Sequence, residues 1–268
     1  MFRSEDRGAS WSAMSAGLSD VDVHAIALDP AAPNTLFAAT DGGVFKSTDG
    51  ASNWTAKNNG LGDFPYALSL AIDPMAPQTV YAGGLSVFKT VDGGEVWIPM
   101  TQGLPKNKST FSLAIDPSSP QTVYSGNDKG VYKSTDGGAN WVEMNNGLII
   151  ASVFALLVDP SHPQIVYAGT ERGDIFKSTD GAGSWTRMNN GRDRDIVYVL
   201  TFRSPDLDDI YAGTAGGIDH SSNGTSSWNT LALALPDQTV QSLVADVGPA
   251  RMVFAGTERN GVFAVALP

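Results

Sequence analysis

The chain of 268 residues contains no cysteine, which excludes a disulfide scaffold, a thiol nucleophile and any cysteine-ligated metal or iron–sulfur site. It also lacks an apolar run of the roughly 18–20 residues that a membrane-spanning helix needs. Cations are scarce, because 17 Lys+Arg stand against 28 Asp+Glu and give a net charge of −11. A nucleic-acid binder needs a basic surface. We therefore expect no nucleic-acid partner and no membrane span.

Motifs of several enzyme classes are missing as well. The sequence has no G-x-S-x-G of serine hydrolases, no H-E-x-x-H of zinc proteases and no P-loop. His24 has one neighbouring candidate ligand, Asp22, but two ligands are too few for a metal site. We expect neither a metal ion nor another cofactor.

What the sequence does contain is an internal repeat. Six tryptophans follow one another at steps of 43 or 44 residues, and a second aromatic position keeps the same step. The tryptophans are Trp11, Trp54, Trp97, Trp141, Trp185 and Trp228. The second series is Phe37, Tyr81, Tyr124, Tyr167, Tyr211 and Phe254. Two independent positions with a common period indicate six copies of one structural unit.

Each unit has the pattern of four short strands. In residues 110–117, TFSLAIDP, apolar and small residues alternate until an Asp-Pro turn signal. The segments QTVYSG, GVYKS and WVEMN follow as three further strands, separated by glycine-containing turns. No stretch shows sustained helical periodicity, so we predict almost no helix. Four strands in about 40–45 residues predict an all-β chain that folds as a six-bladed β-propeller, with a seven-bladed ring as the alternative.

The chain begins and ends within a unit, so the predicted ring has to be closed. We expect a single domain, residues 1–268, in which strands from both termini complete the last blade. Residues 10–15 would pair as the outer strand of a blade formed by residues 239–266, since an open blade exposes unpaired strand edges. The predicted blades are residues 20–62, 63–105, 106–149, 150–193, 194–236, and 237–268 together with 1–19.

One strand is left over by this scheme. Phe2–Ser4 and Val262–Val265 both match Val44–Ser47, which is a third strand, although the closing blade needs only one of them. The sequence leaves open which of the two completes the blade.

The turn after the third strand carries the motif S-x-D-x-G-x-x-W. It strongly resembles the Asp-box, or BNR, repeat of sialidases, some endoglucanases, sortilin-type receptors and photosystem assembly factors. The resemblance covers the whole chain and implies a β-propeller, but these families share blades and not one chemistry. The motif residues are Ser4, Asp6 and Trp11; Ser47, Asp49 and Trp54; Asp92 and Trp97; Ser134, Asp136 and Trp141; Ser178, Asp180 and Trp185; and Trp228 in the weakest copy.

We interpret this motif as structural. Its carboxylate can accept hydrogen bonds from the backbone of its own turn, its glycine permits a positive φ, and its tryptophan fills space between blades. Since every blade has such an aspartate at the same place, neither acid–base catalysis nor calcium binding is needed to explain them. The resemblance implies that these turns lie on the face opposite the functional one.

By the same resemblance, ligands would bind to the loops from second to third strands and from fourth strands to the next blade. Arginines collect in these loops in the second half of the chain, and their planar fork suits carboxylate or phosphate recognition. The alternative is a solvated network of arginines and acids with no ligand. The predicted ligand-binding residues are Arg172, Arg192, Arg194, Arg259, Glu171, Glu258, Tyr66 and Tyr198, with Phe64 as a further aromatic.

Short loops and missing catalytic sets favour a non-catalytic binding or scaffolding propeller that recognises a glycan or a protein. A sialidase would need three convergent arginines, whereas only Arg3 and Arg7 precede Arg172. The alternative is a carbohydrate-active enzyme, a glycoside hydrolase or polysaccharide lyase, with two carboxylates about 5–9.5 Å apart. Candidate carboxylates are Asp22, Asp41, Asp63, Asp128, Glu171, Asp193 and Glu258.

The absence of cysteine and repeats rich in Asn, Gly and Ser are compatible with a bacterial exported protein. The first twenty residues lack the apolar core of a signal peptide, so we expect the signal to be absent from this chain. We expect a monomer that is periplasmic or extracellular.

Overall fold

The computed structural model describes residues 1–18, 22–63, 65–149, 151–188, 195–203, 206–224, 227–231, 239–246 and 252–266. Within these ranges every regular element is a β-strand, and none is a helix. No described segment therefore provides the long apolar helix that would cross a membrane. The strands confirm the predicted fold class, an all-β six-bladed β-propeller with antiparallel blades.

The chain forms two compact units, and the first comprises residues 1–5 and 9–144. A two-stranded sheet pairs β1 (Phe2–Arg3) with β2 (Ser12–Ala13). Three four-stranded antiparallel sheets follow, in each of which neighbours in sequence are neighbours in the sheet. Sheet 1 contains β3 (Val23–Leu28), β4 (Leu36–Thr40), β5 (Gly43–Ser47) and β6 (Thr55–Ala56); sheet 2 contains β7 (Ala67–Ile72), β8 (Val80–Gly84), β9 (Val87–Thr90) and β10 (Ile98–Pro99); sheet 3 contains β11 (Thr110–Ile115), β12 (Val123–Asn127), β13 (Gly130–Ser134) and β14 (Val142–Glu143).

The second unit comprises residues 6–8 and 145–268 and repeats this arrangement. It contains two four-stranded sheets and one three-stranded sheet. Sheet 4 contains β15 (Val153–Val158), β16 (Val166–Thr170), β17 (Ile175–Ser178) and β18 (Thr186–Arg187); sheet 5 contains β19 (Val197–Arg203), β20 (Asp206–Thr214), β21 (Gly217–Ser221) and β22 (Asn229–Thr230); sheet 6 contains β23 (Val240–Ala245), β24 (Met252–Thr257) and β25 (Val262–Ala266).

The ends of the chain pair differently from the prediction. β2 pairs with β1, and β25 is the third strand of sheet 6, so both candidate third strands are used, each in its own sheet. Among the described strands none joins β25 as a fourth, and the predicted pairing of residues 10–15 with the last sheet is wrong. The reason is local, because β1 and β2 are joined by a short turn and a hairpin between near neighbours closes at the smallest entropic cost.

The second strands of sheets 1 to 4 are almost entirely buried. In the first unit Tyr81 of sheet 2 packs against Val123 and Trp141 of sheet 3. Burial raises the pKa of Tyr81, Tyr124 and Tyr167 to about 12. Five residues of the second aromatic series are therefore core, and Phe254 is half-buried; the five are Phe37, Tyr81, Tyr124, Tyr167 and Tyr211.

A lysine of the third strand lies over this buried ring. Lys46 Nζ is 5.1 Å from the centre of the Phe37 ring and also donates to Gly93 O at 2.9 Å. Lys89 Nζ donates in the same way to Gly137 O at 3.0 Å. Burial lowers the pKa of both lysines. Four lysines hold such positions, namely Lys46, Lys89, Lys133 and Lys177.

Candidate functional site

The repeated turn after the third strand is held by its own side chains. Ser134 Oγ donates to Asp136 Oδ1 at 2.8 Å and accepts from the N–H of Gly138 at 2.8 Å. Asp136 also accepts from the side-chain amide and the backbone N–H of Asn140, both at 2.8 Å. Hydrogen bonds from side chains and from backbone N–H groups lower the pKa of the motif aspartate to about 2 in three turns, at Asp49, Asp136 and Asp180. These carboxylates are occupied within their turns, which agrees with a structural role.

The tryptophan that ends the turn connects its sheet to the preceding repeat. Trp97 is 2% exposed, its Nε1 donates to Lys57 O at 2.7 Å, and its backbone N–H donates to Asn59 O at 2.8 Å. The equivalent indole bonds run from Trp54 to Met14 O and from Trp141 to Met100 O. The first copy differs, since Trp11 is 43% exposed. In the weakest copy the buried Trp228 Nε1 has no hydrogen-bond partner among the described residues.

The structure describes only part of the predicted arginine-rich site. Arg192 and Arg194 lie outside the described residues, as do Phe64 and Asp193. The exposed residues of the group are Glu171, Arg172, Glu258 and Arg259. Tyr198 packs edge-on against Phe154, with ring centres 6.1 Å apart, and burial together with the charge of Glu258 raises its pKa. Tyr198 and Glu258 of the predicted set thus lie close enough to interact, and the arginine-rich site stays a prediction.

Tyr66, in contrast, belongs to a cluster in the first unit that sequence spacing did not reveal. His24 Nε2 lies 2.6 Å from Asp41 Oδ1, and the His24 ring meets the Tyr66 ring edge-to-face at 5.6 Å. Burial and, second, the charge of Asp41 raise the pKa of Tyr66. No group of three metal-ligating side chains occurs in the described part of the chain. Asp22 and His24, the two candidate ligands in the sequence, therefore have no third ligand there.

A cleft of about 550 Å³ opens in the first unit at loops of sheets 2 and 3. These loops, from β8 to β9 and from β10 to β11, are of the two kinds for which the Asp-box resemblance predicts a position on the functional face. Eight of the twelve lining residues carry a hydroxyl, amide or ammonium group, and none carries a carboxylate. The lining residues are Leu85, Ser86, Thr101, Gln102, Gly103, Leu104, Pro105, Lys106, Asn107, Lys108, Thr110 and Asn127.

Two departures from the repeat explain why this cleft is open. In sheet 1 the equivalent space is occupied by Asn58, whose Oδ1 accepts from Val44 N–H at 2.9 Å and whose Nδ2 donates to Gly42 O at 2.8 Å. In sheet 2 the position of Asn58, four residues after the tryptophan, is taken by Thr101. The β8–β9 hairpin also has only three residues between the paired Gly83 and Val87, one fewer than the four between Ala39 and Val44 in the β4–β5 hairpin. The short hydroxyl side chain and the short hairpin leave the space free.

The wall from sheet 3 contains a buried amide with an unused donor. Asn127 is 1% exposed, and its Oδ1 accepts from the N–H of Lys129 at 2.7 Å. Its Nδ2 has no hydrogen-bond partner among the described residues. At this position the hydroxyl of a threonine donates to a carbonyl across the hairpin in four other sheets, at Thr40, Thr170, Thr214 and Thr257. The substitution of asparagine in sheet 3 therefore frees a donor at the cleft.

Replacing Ser125 by alanine should raise the free energy of unfolding. Ser125 is fully buried and its Oγ has no partner among the described residues, so its desolvation costs about 1–3 kcal/mol without compensation. The five other sheets have alanine at this position, at Ala38, Ala82, Ala168, Ala212 and Ala255, which shows that the strand accommodates it. We expect a gain of about 1 kcal/mol in urea unfolding.

Ser134 provides the matched control, because it is a buried serine of the neighbouring strand whose hydroxyl makes three hydrogen bonds. Ser134→Ala should lower the free energy of unfolding, by about 1 kcal/mol or more. Equal losses in both variants would show that the Ser125 hydroxyl is bonded after all.

The sheets and their turns define this chain as a β-propeller, and comparison with known proteins supports that class without adding a family. No protein-family model and no curated protein matches the sequence. Among solved structures, an ancestral GH74 enzyme is similar, with 20% identity and a TM-score of 0.75 over 95% of this chain and 40% of that chain. A GH74 xyloglucanase from Xanthomonas campestris shares 18% identity, with a TM-score of 0.62 over 86% of this chain and 42% of its own.

A third similar structure is the extracellular domain of a B. thetaiotaomicron protein described as a one component system. It shares 17% identity and a TM-score of 0.77, covering 98% of this chain and 35% of that chain. The sequence presented here thus spans less than half the length of these three proteins. At such identities the likeness shows the fold alone.

Proposed function

We propose that this chain is a non-catalytic binding propeller, that its repeated turns are Asp-boxes, and that it recognises a glycan or a protein on the opposite face. The observation that carries the proposal is the cleft at sheets 2 and 3, whose lining offers hydroxyl, amide and ammonium groups and no carboxylate. Ligand sites use a few such polar groups to orient what they bind. Hydrolysis of a glycosidic bond, in contrast, uses two carboxyl groups flanking the bond.

A glycan is the partner that we favour. Thr101, Gln102 and Asn107 line the cleft with groups that can exchange hydrogen bonds with sugar hydroxyls. Two of the similar structures are GH74 enzymes, one of them named a xyloglucanase, and a third is an extracellular domain. These likenesses support a carbohydrate ligand and an exported protein.

Screening the purified chain on a glycan array, followed by calorimetry with the best ligand, tests this proposal. We expect binding without release of new reducing ends. The double variant Gln102→Ala/Asn107→Ala should weaken binding about tenfold, because it removes two hydrogen-bonding side chains and leaves the net charge unchanged. The matched control is Gln78→Ala/Gln121→Ala, which alters exposed residues of the turns after β7 and β11. Turnover of a bound glycan, or equal loss in both double variants, would contradict the proposal.

The alternative, a carbohydrate-active enzyme, has one observation in its favour. His24, Asp41 and Tyr66 form a cluster in which an imidazole, a carboxylate and a phenol of raised pKa lie together. Groups arranged in this way can transfer protons. If the chain released reducing ends from a polysaccharide and His24→Ala abolished that release, the chain would be a carbohydrate-active enzyme and not a non-catalytic binding propeller.

A further inference from the structure

The cleft at sheets 2 and 3 is lined by two lysines that take no part in the hydrogen bonds and ion pairs of the described fold. Lys106 and Lys108 both line it, and no hydrogen bond or ion pair from the described residues reaches either of them. The other lysines have structural contacts. Four lie over aromatic rings, Lys57 pairs with Glu95, and Lys129 of the β12–β13 hairpin has contacts of its own.

The surroundings of these two lysines do not neutralise them. None of the lining residues is acidic. Asp128, on the β12–β13 hairpin, does not line the cleft, and its Oδ2 accepts from the N–H of Ser109 at 2.9 Å. In a chain with a net charge of −11, a cleft with two ammonium groups and no carboxylate is a local exception.

Asn127 adds a second and independent indication of a ligand. Its side chain is almost fully buried at the cleft, yet its Nδ2 lacks a partner among the described residues. A buried donor without an acceptor costs free energy unless something supplies an oxygen. The two ammonium groups and this amide nitrogen are donors, so this part of the cleft is complementary to a group that offers acceptors.

We propose that this cleft binds the acidic group of an anionic glycan. Lys106 and Lys108 face the carboxylate or sulfate, and Asn127 Nδ2 donates to an oxygen of the ligand. The volume of about 550 Å³ lies within the range of ligand sites, about 300–1,000 Å³. This inference rests on the proposed function and specifies its ligand class.

Calorimetry on the full chain, with four probes of similar length, tests the proposal. The probes are an oligogalacturonate, its methyl ester, a sulfated galactan oligomer and a neutral glucan oligomer. We expect the two anionic probes to bind at least about tenfold more tightly than the two neutral ones. The advantage should shrink as salt rises from 50 to 500 mM, roughly the range over which screening shortens the reach of exposed charges.

Lys106→Met/Lys108→Met should remove that advantage, and Lys129→Met is the control, since Lys129 does not line the cleft. Asn127→Thr introduces the residue that four other sheets use at this position, so the variant should fold. It should weaken binding of the anionic probes several-fold and leave the melting temperature unchanged or higher.

The outcomes separate the two proposals. Equal binding of all four probes, or anionic binding that survives Lys106→Met/Lys108→Met, would overturn the anionic ligand and leave a glycan-binding propeller. Failure of every probe and of the glycan array would overturn both. If the sulfated probe bound more tightly than the carboxylated one, with the same dependence on both lysines, the result would support the site and identify sulfate as the acidic group that it prefers.

Discussion

Replacing Trp97 by alanine is expected to lower the free energy of unfolding by about 3–5 kcal/mol. The indole is 2% exposed and packs with Phe37 and Val44 of sheet 1. Its removal leaves a cavity between sheets 1 and 2 and takes away the donor that satisfies Lys57 O. Urea unfolding followed by circular dichroism measures the loss.

Trp11 is the matched control, because it occupies the same position of the motif and is 43% exposed. Trp11→Ala should cost about 1 kcal/mol or less, as expected for a substitution that leaves no buried cavity. Comparable losses in the two variants would mean that the motif, and not the packing of Trp97, determines stability.

Gly60→Ala is the second substitution for which we expect a large effect, more than about 3 kcal/mol, because two penalties act together. Gly60 has φ +96, and a Cβ on it would lie 2.1 Å from Trp97 O. That carbonyl belongs to backbone that cannot move away without disturbing the buried indole. The variant should unfold at much lower urea concentration than the parent chain.

Gly62 separates the two penalties. Its φ is +85, but a Cβ there would meet nothing within 4 Å. Gly62→Ala should therefore cost only the conformational term, about 1–2 kcal/mol. If the two variants were equally unstable, the close approach to Trp97 would not be the cause.

Much of the fold follows from the repeat alone. The step between tryptophans predicts the number of units. The segments TFSLAIDP, QTVYSG, GVYKS and WVEMN contain the four strands of sheet 3 except for Asn127, the last residue of β12. The role of the motif aspartate also follows from local chemistry, since a carboxylate two residues after a serine can reach the backbone of its own turn. In both cases the determining interactions lie within a few residues of one another.

The ends of the chain and the cleft were harder to predict, for different reasons. Residues 10–15 match a fourth strand, but sequence does not reveal whether such a strand pairs with a neighbour or with a distant sheet. The cleft depends on what one copy lacks relative to another: Thr101 replaces Asn58, and one hairpin is a residue shorter. The arginines are predicted to form a site because of their charge alone. Lys106 and Lys108 differ from the other lysines only in the structure, where the other lysines have contacts.

The hydrogen bonds between repeats also define where the sequence unit can be divided. Several copies donate backwards through the indole, as from Trp97 to Lys57 O, and forwards through the lysine, as from Lys46 to Gly93 O. A single excised copy would lose both acceptors at once, wherever the cut is made. An insertion or deletion that respects the full period, in contrast, presents every remaining donor with an equivalent carbonyl. We therefore expect recombination of genes that encode such chains to be tolerated best in whole periods of the repeat.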